Sequence, residues 1–218
     1  MTQPRLHQPP NPPLEILLET LCVFPDPARW LEHIRSHGEV ERLSLDQYWL
    51  IWNSLRGLGL FDCSVLDLGC DSGFFSFSLA VTMASRVTAV GESGPAIDGL
   101  RRDCADSGLR HVEVVEKGTS EFLRDEAGRR AWDAVLCLND WRRPGSREED
   151  LRAFYRRLGE VTAVALYLEP DGRPAAGAGD LAGEISELGR FEQPRVLGWS
   201  CSAAGEPRRL WEFRKREG

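Results

Sequence analysis

The stretch VLDLGCDSGFFSFSLA, residues 65–80, holds the residues best spaced for chemistry: Asp67 near the end of an apolar run, then Gly69 and Gly73 in a turn that opens a helix. Glycine lets a backbone come close to a ligand, and the unpaired N–H groups of a helix's first turn favour negative charge. A dinucleotide-binding turn carries Gly-x-Gly-x-x-Gly; here Asp71 stands between the two glycines, so a pyrophosphate would meet a carboxylate. A ligand without phosphate fits better. The second candidate is Glu92, 19 residues after Gly73, closing the run VTAV and followed by Pro95 at a helix start. A carboxylate there accepts hydrogen bonds from both hydroxyls of a ribose; a solvated turn glutamate is the plain alternative.

A third group sits on WDAVLCLND, residues 132–140, a strand with Asn139 and Asp140 at its tip, followed by Trp141 and Arg142. Asp140 is the candidate general base, with a turn or helix-cap aspartate as the other reading. Residues 141–157 hold six arginines against three acids, interleaved with Trp141, Phe154 and Tyr155, a pattern suited to an anionic or aromatic substrate. His33 and His37 are four apart on a helical stretch but lack a third ligand, so no metal site is expected. The six cysteines form no C-x-x-C pair, several lie in apolar runs, and the first residues lack an apolar h-region. Buried thiols in a reduced, cytoplasmic protein are expected.

The elements that must position these groups follow from periodicity. Five prolines in residues 1–13 mark a proline-rich flexible arm, and residues 14–60 read as a helical lid whose third helix starts at Ser44, with Gln47 at capping-box spacing. From residue 61 to 218, β-branched runs alternate with capped helical stretches. The strands are expected at 64–68, 86–90, 111–115, 133–138 and 161–168, with helices from Phe74, Pro95, Ser120, Ser146 and near Asp180. Two β-rich runs after Arg195, separated by Ala-Gly-Glu-Pro, read as a hairpin. The expected fold is α/β and Rossmann-like: a seven-stranded sheet of order 3-2-1-4-5-7-6, five strands parallel, the hairpin supplying an antiparallel edge.

The Asp-x-Gly-Cys-x-x-Gly run of residues 67–73 resembles motif I of the class I S-adenosylmethionine-dependent methyltransferases. That resemblance covers residues 63 to about 215. It implies S-adenosyl-L-methionine as cofactor, held by Asp67, Gly69, Cys70, Asp71, Gly73 and Phe74 of the turn, by Glu92 and Ser93, and by Asn139. Where the family often carries an acid for the adenine amino group, Gly118 stands here, leaving Glu116, Thr119 or Ser120 for that contact. Asp140 would serve catalysis, and Trp141 and Arg142 would face the substrate. The Gly-Phe-Phe-Ser-Phe start of the helix is also similar to the tRNA wobble-uridine modification methyltransferases.

Composition narrows the acceptor. Twenty-seven basic against 34 acidic residues give a net charge of −7, which does not favour nucleic acid or anionic lipid as partner, and no apolar run is long enough to span a membrane. The first expectation is therefore a methyltransferase acting on a small-molecule acceptor. A tRNA-modifying enzyme and a non-catalytic S-adenosylmethionine-binding module are the alternatives.

Overall fold

The structure, a computed structural model, describes residues 41–138, 148–169, 181–201 and 207–216. The proline-rich arm, the helical stretches before residue 41 with His33 and His37, and the Ser146 helix start lie outside the described residues.

Strands β1 (Cys63–Leu68), β2 (Ala84–Gly91), β3 (Val112–Glu116), β4 (Trp132–Cys137), β5 (Thr162–Leu168), β6 (Arg195–Cys201) and β7 (Pro207–Arg214) form one sheet in the order β3-β2-β1-β4-β5-β7-β6. The first five are parallel; β7 runs antiparallel between β5 and β6. Each expected strand is present, its ends shifted by a residue or two. The registers Leu68↔Val90, Leu68↔Cys137 and Cys137↔Leu168 bring the carboxyl ends of β1, β2, β4 and β5 level.

The central strands are almost continuously apolar because both faces are covered. Alternate residues divide between two clusters. Val65, Ala134, Leu136 and Tyr167 pack with helices α1 (Glu41–Gly57), α2 (Phe74–Thr82) and α3 (Pro95–Asp106). Leu66, Leu68, Val135, Leu166 and Leu168 pack on the other side with α4 (Thr119–Glu126), α5 (Glu148–Val161) and α6 (Leu181–Gly189).

Helix α1 corrects one expectation. Ser44 lies inside it and does not open it. Spacing of i and i+3 occurs throughout a helix as well as at its cap, so the Ser44–Gln47 pattern does not mark a start. Residues 41–57 of the expected lid are fixed to the sheet: Tyr48, Ile51 and Leu55 are fully buried, and Leu50 lies against Gly198 of β6, where a Cβ would come within 2.5 Å of it. The Ser54 hydroxyl donates to the buried Glu212 carboxylate of β7 and accepts from the Tyr167 hydroxyl at 3.0 Å. Arg195 and Arg214 also donate to Glu212, at 3.1 and 2.7 Å. Across the sheet, Lys215 Nζ donates to the Gly159 and Gly189 carbonyls, joining the last turns of α5 and α6.

Candidate functional site

The turn after β1 has three left-handed residues in five: Gly69 (φ 71°), Asp71 (φ 47°) and Gly73 (φ 82°). Gly69 and Cys70 N–H both donate to the Val90 carbonyl at 2.9 Å, which ties the turn to the end of β2. Gly73 closes the turn by donating to the Cys70 carbonyl at 2.7 Å and then serves as the N-cap of α2. A Cβ at Gly73 would stand 2.4 Å from Leu100 Cδ1 of α3, so both the backbone angle and the packing demand glycine.

Asp67 lies beneath this turn, 3% exposed. Its carboxylate accepts the Ser76 hydroxyl at 2.6 Å and the Ser76 N–H as well. Gly73 has no side chain to cap α2, so a carboxylate on β1 caps the helix from outside it. Burial raises the Asp67 pKa to about 6, against the lowering effect of those two hydrogen bonds. Burial likewise pushes up the Cys63 thiol to about 11 and the Cys104 thiol to about 12, and raises Cys70, helped by the charges of Asp67 and Asp71. These thiols stay protonated and pack as small apolar groups. Phe74 is also buried, edge-on to Phe75 and to Tyr48 of α1 at 5.2 and 6.2 Å.

Glu92 is the first residue past β2 and is exposed. A Cβ on Gly118 would lie 4.0 Å from Glu92 Oε1, so the carboxylate stands beside the turn that follows β3. That turn is joined to β2 by the Lys117 N–H, which donates to the Gly91 carbonyl at 2.9 Å. Gly118 is the N-cap of α4, and Thr119 is its first residue, half-buried. Glu116 accepts the Ser93 hydroxyl and the Arg101 guanidinium. The turn residues 69–73, Glu92 with Ser93, and Thr119 thus follow three neighbouring strands along one edge of the sheet. Leu138, buried, continues β4 to the same edge; Asn139, Asp140, Trp141 and Arg142 lie outside the described residues.

One carboxylate at this edge was not singled out from the sequence. Glu169 is the first residue after β5 and is 2% exposed, and its N–H donates to the Cys137 carbonyl at 3.2 Å. It stands two strands from Gly69, about 10 Å away across β4. The signal that marks Glu92, a carboxylate ending an apolar run, is also present in ALYLEP. Among the described residues no group of three or more His, Cys, Asp or Glu is arranged to hold a metal ion, and no helix is long and apolar enough to cross a membrane.

No protein-family model and no curated protein matches the sequence. Solved structures share its fold. The N-methyltransferase NodS from Bradyrhizobium japonicum WM9 matches with a TM-score of 0.58 at 16% identity, over 80% of this chain and 97% of its own. The precorrin-6y C5,15-methyltransferase from Geobacter metallireducens GS-15 matches with a TM-score of 0.52 at 16% identity, over 72% and 81%. The bifunctional kinase-methyltransferase WbdD matches with a TM-score of 0.60 at 24% identity, over 79% of this chain but 39% of its own. At these identities the likeness is one of fold, the class I methyltransferase fold.

Proposed function

We propose that the chain is an S-adenosylmethionine-dependent methyltransferase acting on a small-molecule acceptor. The observation that carries this reading is the joined pair of turns: the left-handed glycine turn after β1 and the Glu92 turn after β2, coupled through Val90 and Gly91. They lie at the carboxyl ends of parallel strands, where ligands bind in open α/β folds. The residues fit the cofactor. Exposed Asp71 suits an ammonium and opposes a pyrophosphate, and Gly118 keeps the space beside Glu92 free of a side chain.

When bound, the cofactor supplies an activated methyl group on a sulfonium. The chain's own work is to hold the acceptor in line and keep water out. With the cofactor on the β1–β3 half of the edge, the acceptor is left the β4–β5 half. Asp140, two residues past Leu138 in sequence, is assigned the proton of a hydroxyl or amine acceptor, and Trp141 and Arg142 its orientation, while Glu169 gives the β4–β5 half a buried carboxylate. The buried thiols suit a reducing, cytoplasmic setting.

The tRNA reading rests on the Gly-Phe-Phe-Ser-Phe run. Phe74, Phe75 and Phe77 are 8%, 4% and 2% exposed, so they serve the core, and the net charge of −7 does not help an RNA ligand. Titration calorimetry with S-adenosylhomocysteine and with NADH tests the proposal: binding of the first alone supports it, and binding of NADH alone overturns it. A gel shift with bulk tRNA at moderate salt separates the acceptor classes.

A further inference from the structure

We propose that Glu116 and Arg101 are positioning residues that fix the Glu92 turn and thereby set the site's selectivity for a ligand carrying a vicinal diol. The proposal rests on the reading of Glu92 as the ribose-binding carboxylate, and extends it to residues that do not touch the ligand. Only Glu92, Ser93 and Gly94 separate β2 from α3, so Ser93 is the one neighbouring side chain within that turn able to anchor it. Its hydroxyl donates to Glu116, the last residue of β3. Glu116 is aligned opposite Gly91, the residue that precedes Glu92.

Arg101 of α3 closes the arrangement from the other side. Its Nη1 and Nη2 donate to Glu116 Oε2 at 3.2 and 3.1 Å, and Nη1 also donates to Asp98 Oδ1 at 3.2 Å. The turn is therefore held at both ends: by β3 through Ser93, and by α3 through the same carboxylate. The Ser93 hydrogen bond and the Arg101 guanidinium keep the Glu116 carboxyl below the usual carboxylate range. Arg101 also compensates that charge, and the exposed Glu92 carboxylate remains to receive hydroxyl donors. A diol needs two acceptor oxygens at a set angle. A turn that pivots about Gly94 would keep the charge of Glu92 but lose the angle.

The experiment measures the affinity of the full chain for S-adenosylhomocysteine and for its 2′-deoxyadenosyl counterpart, in wild type, Glu116→Gln, Ser93→Ala, Arg101→Met and the Glu116→Gln/Arg101→Met double variant. The wild type is expected to favour the ribose form by tenfold or more, the loss of a hydrogen bond to a charged group. Each single variant is expected to reduce that ratio about threefold to fivefold with the unfolding temperature unchanged, since the groups are exposed. The double variant is expected to be no worse than Glu116→Gln, as members of one unit are not additive. A wild-type ratio in Glu116→Gln would overturn the positioning role while leaving the site reading intact. A wild type that binds neither ligand would overturn both.

Discussion

Asp67 caps a helix it does not belong to: its carboxylate, at the end of β1, accepts the hydroxyl and the N–H of Ser76 in the first turn of α2. The glycine turn is thus held from below by a buried charge, and this has consequences for pH.

Folding raises the Asp67 pKa from the usual 3.8 to about 6. Between those values the native state holds more protons than the unfolded chain, so this group's contribution to stability is full below pH 3.8 and is lost as pH rises through about 6. It levels off above pH 6, about 3 kcal/mol lower. Asp67→Asn keeps an acceptor for Ser76 but removes the titration. Urea unfolding from pH 4 to 8 is expected to show a flatter profile for the variant and higher stability than wild type at pH 7.5. A parallel profile would mean that Asp67 does not titrate in this window.

Gly73→Ala combines a left-handed backbone with a Cβ 2.4 Å from Leu100. It is expected to cost about 2–5 kcal/mol in urea unfolding, from backbone strain and overpacking together. Adding Leu100→Ala should restore S-adenosylhomocysteine binding in part by removing the clash, though not the stability lost to the cavity.

Glu92→Ala is expected to weaken S-adenosylhomocysteine binding by tenfold or more, because each hydrogen bond to a charged group contributes about 1.5–3 kcal/mol. Glu92 is exposed, so the unfolding temperature should not move. Calorimetry beside thermal unfolding checks both, and unchanged affinity would misplace the ribose contact.

If Asp140 acts as a base, Asp140→Asn is expected to lower turnover about 10²–10⁴-fold. Affinity for S-adenosylhomocysteine should stay within a few-fold. Glu169→Gln is expected to lower turnover with the same preserved affinity. Acceptors come from a metabolite screen with labelled cofactor, and wild-type turnover in both variants would leave catalysis to alignment alone.

Local pattern alone determined the strand runs, the helix starting at Phe74, the one opened by Pro95 and the closing hairpin. Each depends on residues a few positions apart: apolar runs, a glycine before a helix, a proline in its first turn. Strand order followed as well, since short crossovers of one hand leave few ways to lay five parallel strands. The place of Glu92 at the end of β2 was legible for the same reason, as a carboxylate closing an apolar run.

Only the tertiary structure decided what those groups touch. Asp67 looks in sequence like a ligand-facing acid; its commitment to Ser76 depends on the path of α2 across β1. Glu116 was one of three candidates for an adenine contact, and its engagement by Ser93 and Arg101 requires β3 and α3 to lie side by side. Ser44 read as a cap because i, i+3 spacing is shared by caps and helix interiors, and nothing local announces that Ser54 reaches Glu212, 158 residues away. Periodicity is a property of neighbours along the chain, whereas hydrogen-bond partners are chosen by packing between elements. The sequence therefore specified the framework and the sheet edge beside Asp67 and Glu92, and the fold assigned Asp67, Glu116 and Ser54 their partners.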